Sequence, residues 1–83
     1  MARPLKQTPT PTKTGPLTPE LIGQFVRAKR TQSGLRIDDA ADLCGVSVET
    51  ISKIETAKGG VTTTNLFKVL NGLGLKMQME PWS

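Results

Sequence analysis

The sequence predicts an all-α domain of four to five helices, and two observations carry this prediction. Apolar residues recur at helical spacing in four successive segments. Residues that cap or stop helices bound each segment, among them Thr18, Gly45, Ser47 and Gly74. Only residues 75–80 depart from this period, and they predict a short C-terminal strand.

Length and composition limit the protein to a small domain without an evident catalytic centre. The chain has 83 residues, enough for one domain whose core is marginal alone, so dimerisation is expected. Its one cysteine, Cys44, excludes an intramolecular disulfide and a cysteine metal cluster, and we expect it to fill a small core position. Histidine, the commonest general base and neutral metal ligand, is absent. We therefore expect that the protein is not an enzyme and that it binds no cofactor, metal or small-molecule ligand.

No signal peptide or membrane-spanning run is visible, so a cytoplasmic protein without membrane contact is expected. Residues 1–16 carry three basic and no acidic residues among alternating Thr and Pro, which predicts a disordered basic arm. This arm is either a solvated tail or a segment that touches phosphate or a partner protein.

Residues 17–74 form the predicted domain, with 75–83 as strand and tail. From residue 17 onward the chain has 8 basic and 7 acidic residues, so its net charge there is close to zero. Any affinity for nucleic acid must therefore come from local clustering of basic residues.

Local signals place the four helices. Thr18 caps the first, and Pro19 occupies its first position. The second is expected over 37–44, the third over 48–55 and the fourth over 63–73. The expected buried face of the fourth helix consists of Leu66, Phe67, Val69, Leu70 and Leu73.

The C-terminal segment follows a two-residue repeat. Its apolar residues Leu75, Met77 and Met79 alternate with polar ones, as in a half-buried strand. No other segment reads as a strand, so its backbone groups need a partner outside the chain. We expect it to pair with a second copy across a two-fold axis, the alternative being a simple tail.

The most informative stretch is residues 40–55. Ala41 is small where two helices would cross closely, Gly45 permits a tight turn, and Ser47 caps the next helix. Ile51 and Ile54 would anchor that helix and leave its other faces outward. This is the pattern of a helix-turn-helix, whose second helix presents its N-terminal residues to base edges in the major groove.

The same stretch resembles a known family. The run from Gly45-Val46-Ser47 to Thr50-Ile51-Ser52-Lys53-Ile54-Glu55 is similar to the lambda-repressor/Cro-like (XRE) helix-turn-helix family at every fixed position of its pattern. The segment 62–75, with its closing Leu73-Gly74, also fits. The resemblance covers residues 18–80 and implies a lambda-repressor-like DNA-binding fold.

Within this family the ending 73–79 is similar to that of HipB-type antitoxins. The resemblance implies a homodimer joined by C-terminal strands, which binds double-stranded operator DNA, represses its own operon and associates with a HipA-like kinase toxin.

Candidate contacts follow from the positions that match the family. Ser47, Val48, Glu49 and Ser52 match base-facing positions, with Val48 suited to a thymine methyl group. Contacts to phosphates or groove edges are expected from Arg36, Thr50, Lys53, Lys58 and Arg30. The cluster Arg27, Lys29 and Arg30 has a second explanation, since cations suit a helix C-terminus.

Two departures from the family concern the DNA-facing surface. A Thr-Gln pair often begins the family's second helix, whereas this chain has Arg36 and Ile37, so Arg36 is expected to supply a phosphate contact instead. Asp38 and Asp39 suit that helix start but would repel phosphate if they faced it. Glu49 either accepts from a cytosine amino group or is merely solvated.

Three functions stay open at this point. The first is a dimeric repressor that serves as the antitoxin of a HipA-like module. The second is a repressor of a phage or mobile element without a toxin partner. The third is a protein-interaction or inhibitor module with weak DNA binding, which Glu49 and the missing Thr-Gln pair keep open.

Overall fold

The computed structural model describes residues 5–12 and 16–82, and within them four helices account for all regular secondary structure. They are α1 (Pro19–Gln32), α2 (Ile37–Cys44), α3 (Val48–Glu55) and α4 (Thr63–Leu73). The all-α prediction and the order of the helices are confirmed. No helix among the described residues has the length and apolar character needed to cross a membrane.

Short polar side chains begin three of the helices. The hydroxyl oxygens of Thr18, Ser47 and Thr62 each accept a hydrogen bond, of 3.1 Å, from the backbone N–H three residues later. Each bond satisfies one of the amides that a helix start leaves without a partner. Gly45 and Gly74 end α2 and α4 in the left-handed conformation, with φ of 72° and 75°.

The core lies where all four helices meet. Val26 of α1, Ile51 of α3 and Val69 of α4 are completely buried at its centre. Cys44 at the end of α2 is buried beside them, as expected, and burial raises the pKa of its thiol. The prediction that Phe67 belongs to the buried face of α4 is wrong, because this residue is 48% exposed. Its neighbours Val69 and Leu70 occupy the inner face of α4, so the Phe67 ring lies toward solvent.

The crossing of α1 over the end of α3 leaves no room for a side chain at Gly23. A Cβ atom at this position would meet the backbone carbonyl oxygens of Ile54 and Glu55, the second at 3.0 Å. Backbone atoms in a helix cannot move aside as a flexible side chain can. Gly23 therefore sets how closely α1 packs on α3.

The two terminal segments have no helix or strand among their described residues. Residues 5–12 lie against the end of α1: the N–H of Thr8 donates to Thr31 Oγ1 at 2.8 Å, and the Gln32 amide donates to the Thr8 carbonyl at 2.8 Å. Residues 75–82 follow Gly74, and their dimer strand stays a prediction because a single chain offers no partner strand.

We expect Gly23→Ala to lower the free energy of unfolding by about 1–3 kcal/mol, because α1 must shift away from α3 to admit the methyl group. Urea denaturation followed by far-UV circular dichroism measures this change. Gln24→Ala, an exposed substitution one residue along the same helix, is the control and should stay within about 0.5 kcal/mol of the parent. Equal stability of the two variants would contradict the close crossing.

Candidate nucleic-acid interface

The turn between α2 and α3 fixes the angle of the two helices. Gly45, in its left-handed conformation, and Val46 both donate their backbone N–H to the carbonyl of Ala41. Ala41 itself is buried, and Val46 packs against the core. A tight turn with its amides satisfied by the preceding helix holds α3 in one orientation.

One face of α3 is anchored in the core and the other lies outward. Ile51 and Ile54 are buried, whereas Val48 and Glu49 in the first turn are exposed and Ser52 is half-buried. The predicted base-facing residues thus share the side of α3 away from the core. The Ser47 hydroxyl caps the helix and lies 3.0 Å from Thr50 Oγ1, so the two hydroxyls form a small polar cluster at the helix start.

The charges on this face form a pair within the helix. Lys53 Nζ lies 3.2 Å from Glu49 Oε1, one helical turn away. The Glu49 side chain is 75% exposed, so the pair is open to water and contributes little to stability. Either partner can leave the pair for a base edge or a phosphate at small cost.

The start of α2 combines one side chain that packs on the core with exposed polar ones. Ile37 packs against the core and is only partly exposed. Asp39 Oδ2 accepts the backbone N–H of Arg36 at 3.4 Å, which directs this carboxylate to the helix start. Arg36 is exposed at the same end of α2. The exposed polar side chains here are therefore Arg36, Asp38 and Asp39, since Ile37 serves the core.

Arg30 is a correction to the predicted set of phosphate contacts. The residue is only 8% exposed, and its guanidinium donates to both carboxylate oxygens of Glu55, at 2.6 and 3.0 Å. A further N–H donates to the Leu35 carbonyl at 3.0 Å. These bonds tie α1 to the end of α3 and to the α1–α2 loop. A guanidinium engaged in this way supports the scaffold and does not face a DNA backbone.

The other predicted cations do not form a single patch. Lys58 is exposed in the loop after α3. The side chain of Lys53 reaches the same loop: its Nζ lies 3.9 Å from the position that a Cβ atom would take if Gly60 carried one. Arg27 lines a cleft between α1 and the N-terminal segment together with Lys6. Lys53 and Lys58 therefore form one basic edge beside α3, and Arg27 belongs to another part of the surface.

Two supporting residues had no clear signal in the sequence. Gly23 looks like an ordinary weak point in a helix, and its role depends on a contact more than thirty residues away in the chain. Thr31 is buried near the end of α1, where its hydroxyl accepts from Thr8 and donates to the Arg27 carbonyl at 2.9 Å. In the sequence, a threonine in the last turn of a helix indicates only that the helix is about to end.

This geometry, a short helix held by a glycine turn against a second helix with its first turn exposed, defines a helix-turn-helix DNA-binding domain. Residues 26–78 match the family model described as helix-turn-helix. Because this match spans more than half of the chain, the protein belongs to the XRE-type helix-turn-helix family of sequence-specific DNA-binding regulators.

Solved structures show the same fold at 25% sequence identity. A chain of the HipA-HipB-O2-O3 complex matches with a TM-score of 0.71, covering 86% of this chain and 100% of that one. A chain of the complex between a HipB point variant and an O2 20mer gives a TM-score of 0.71 and covers 87% and 100%. A chain described as MDT protein gives 0.70 and covers 86% and 100%. No curated protein matches the sequence at a significant level.

We expect Arg30→Met to destabilise the domain by about 3–5 kcal/mol, because it leaves the largely buried Glu55 carboxylate without its partner. Arg27→Met removes the same charge from an exposed position of the same helix and should change the free energy of unfolding by less than about 0.5 kcal/mol. Urea denaturation of both variants checks the difference. A stable Arg30→Met variant with lost DNA binding would instead make Arg30 a phosphate contact.

Proposed function

We propose that this protein is a dimeric transcriptional repressor of the HipB type, which binds its own operator and associates with a HipA-like kinase toxin. The observation that carries the proposal is the exposed first turn of α3, set by the Gly45 turn and presented by a fold similar to that of HipB.

Operator binding would use two sets of residues. Val48, Glu49 and Ser52 share the outward side of α3, and together with Ser47 they would read base edges. Thr50, whose hydroxyl lies beside that of Ser47, would contact phosphate or a groove edge. Lys53 and Lys58 form the basic edge beside α3 and would contact phosphate, as would Arg36 at the start of α2. Phosphate contacts of this kind fix the orientation in which α3 enters the groove.

A dimer is proposed because one reading helix of eight residues covers few base pairs. Two copies related by a two-fold axis would read a palindrome and double the contacts. The residues proposed to join them are Leu75, Met77 and Met79. They follow α4, and Met77 and Met79 have exposed side chains.

The toxin partner is proposed from similarity to a chain of a complex that contains both HipA and HipB. A neighbouring gene for a HipA-like kinase, with co-purification of the two products, supports this part of the proposal. A repressor that binds its operator but has no kinase gene beside it would instead belong to a phage or mobile element.

Binding to the promoter of its own operon should be salt-sensitive and specific for a palindrome. We expect half-site centres about one helical turn apart, or a multiple of it, because a two-fold dimer places its two α3 helices on one side of the DNA. Gel shifts at about 50 and 200 mM salt, with scrambled DNA of equal composition as control, measure this. Equal affinity for promoter and scrambled DNA would overturn the repressor and favour a protein-interaction module.

Glu49→Ala should relax the preference at one base pair of each half-site, because the carboxylate would no longer accept from a cytosine amino group. Binding to a library of operators with single substitutions measures the preference at each position. Asp42→Ala removes the same charge from an exposed position on α2 and should leave the preference at every base pair unchanged. If the two variants have the same base preferences, Glu49 is a solvated bystander.

A further inference from the structure

The segment 75–82 carries an unusual combination of exposed apolar side chains and backbone groups without partners. Met79 is 95% and Trp82 94% exposed. Leu75 donates its N–H to the Leu70 carbonyl at 2.8 Å, and no later residue in the described part of the chain makes a backbone hydrogen bond. The first residues of the segment, 75–78, line a cleft of about 370 Å³ with residues of α1 and α4. The start of this segment is therefore fixed to the domain, and its later backbone groups are left for a partner outside the chain.

Resting on the homodimer proposed above, we propose the register in which two such segments pair: antiparallel, with Gln78 opposite Gln78 of the second copy. In this register Lys76 lies opposite the partner's Glu80, and the two-fold axis repeats the pair. Opposite charges directly across an antiparallel pair attract, and like charges repel. The segment is thus complementary to itself in charge.

Other registers lose this complementarity. A shift that places any even-numbered residue opposite an odd-numbered one would set the apolar side of one strand against the polar side of the other. Pairing centred on Met77 places Lys76 opposite Gln78, and pairing centred on Met79 places Glu80 opposite Gln78. In both of these registers neither charge has an opposite partner.

The backbone groups agree with the same register. Leu75 lies opposite the partner's Pro81, and neither can donate across the pair: the Leu75 N–H is held by Leu70, and proline has none. Antiparallel strands alternate between pairs that exchange hydrogen bonds and pairs that do not. Because the Leu75–Pro81 pair must be of the second kind, Gln78 and the Lys76–Glu80 pairs are the ones that exchange bonds.

The side chains fit this alternation as well. Met77 and Met79 of opposite copies then form non-hydrogen-bonded pairs, where side chains approach most closely, on the apolar side of the sheet. Trp82 lies opposite the partner's Gly74. Gly74 is exposed and has no side chain that would stand between its backbone and an indole ring. The position after Pro81 therefore gives the exposed Trp82 a surface to cover.

Charge reversal tests the register. Lys76→Glu alone and Glu80→Lys alone each turn two attractive pairs into two repulsive ones, and each should weaken the homodimer roughly 10- to 100-fold. A mixture of the two variants should restore the dimer, since each copy then meets its opposite charge. The double variant should also dimerise alone. Light scattering over a dilution series measures these dissociation constants, and Trp82 fluorescence reports its burial in each sample.

Lys68→Glu, at an exposed position of α4, makes the same charge change outside the segment and should leave the dimer intact. Single variants that dimerise as tightly as the parent would overturn the register while leaving the dimer of the proposed function in place. A parent chain that stays monomeric would overturn the register and the dimer together, whereas promoter gel shifts test the DNA-binding proposal separately.

Discussion

The ion pair between Arg30 and Glu55 is the contact on which the placement of α3 depends. It joins the last turn of α1 to the last residue of α3, and the same guanidinium also holds the carbonyl of Leu35. A buried pair of this kind does not guarantee stability, because removing two charges from water is costly. Its value is geometric: bidentate hydrogen bonds between planar groups restrict the relative position of the two helices.

Gly23 and the turn at Gly45 complete this frame. The first lets the backbone of α1 approach the end of α3, and the second fixes the start of α3 against α2. With both ends held, Ile51 and Ile54 fill the core between them. The outward side of α3 is the side that these contacts leave outside the scaffold.

The helix boundaries could be predicted from the sequence because the signals for them are local. Thr18, Ser47 and Thr62 bond to amides three residues away, and Gly45 and Gly74 act within the turns they occupy. The role of Arg30 could not be predicted in this way. Its partner is 25 residues distant, and a cation near a helix end looks the same in sequence whether it faces solvent or a buried carboxylate.

The same distinction explains Phe67 and the candidate interface. Helical spacing places Phe67 near the apolar face of α4, but only the packing of Val69 and Leu70 decides which neighbour is inside. For α3 the spacing was sufficient, because two isoleucines define a narrow buried side and leave the rest outward. The buried side of a helix can thus be predicted when the spacing within that helix defines it. It cannot be predicted when it depends on how two helices pack against each other.

Charge distribution explains why such a domain would work as a dimer. Residues 1–16 hold an excess of three positive charges, whereas the rest of the chain has an excess of one. On α3 itself Glu49 offsets Lys53, and Arg30 is bound to Glu55. A single copy therefore has few cations to offer phosphate, and counterion release per copy would be small. In the proposed dimer, pairing two copies would double both the phosphate contacts and the base edges read, and a weakly charged domain would then select its site by sequence.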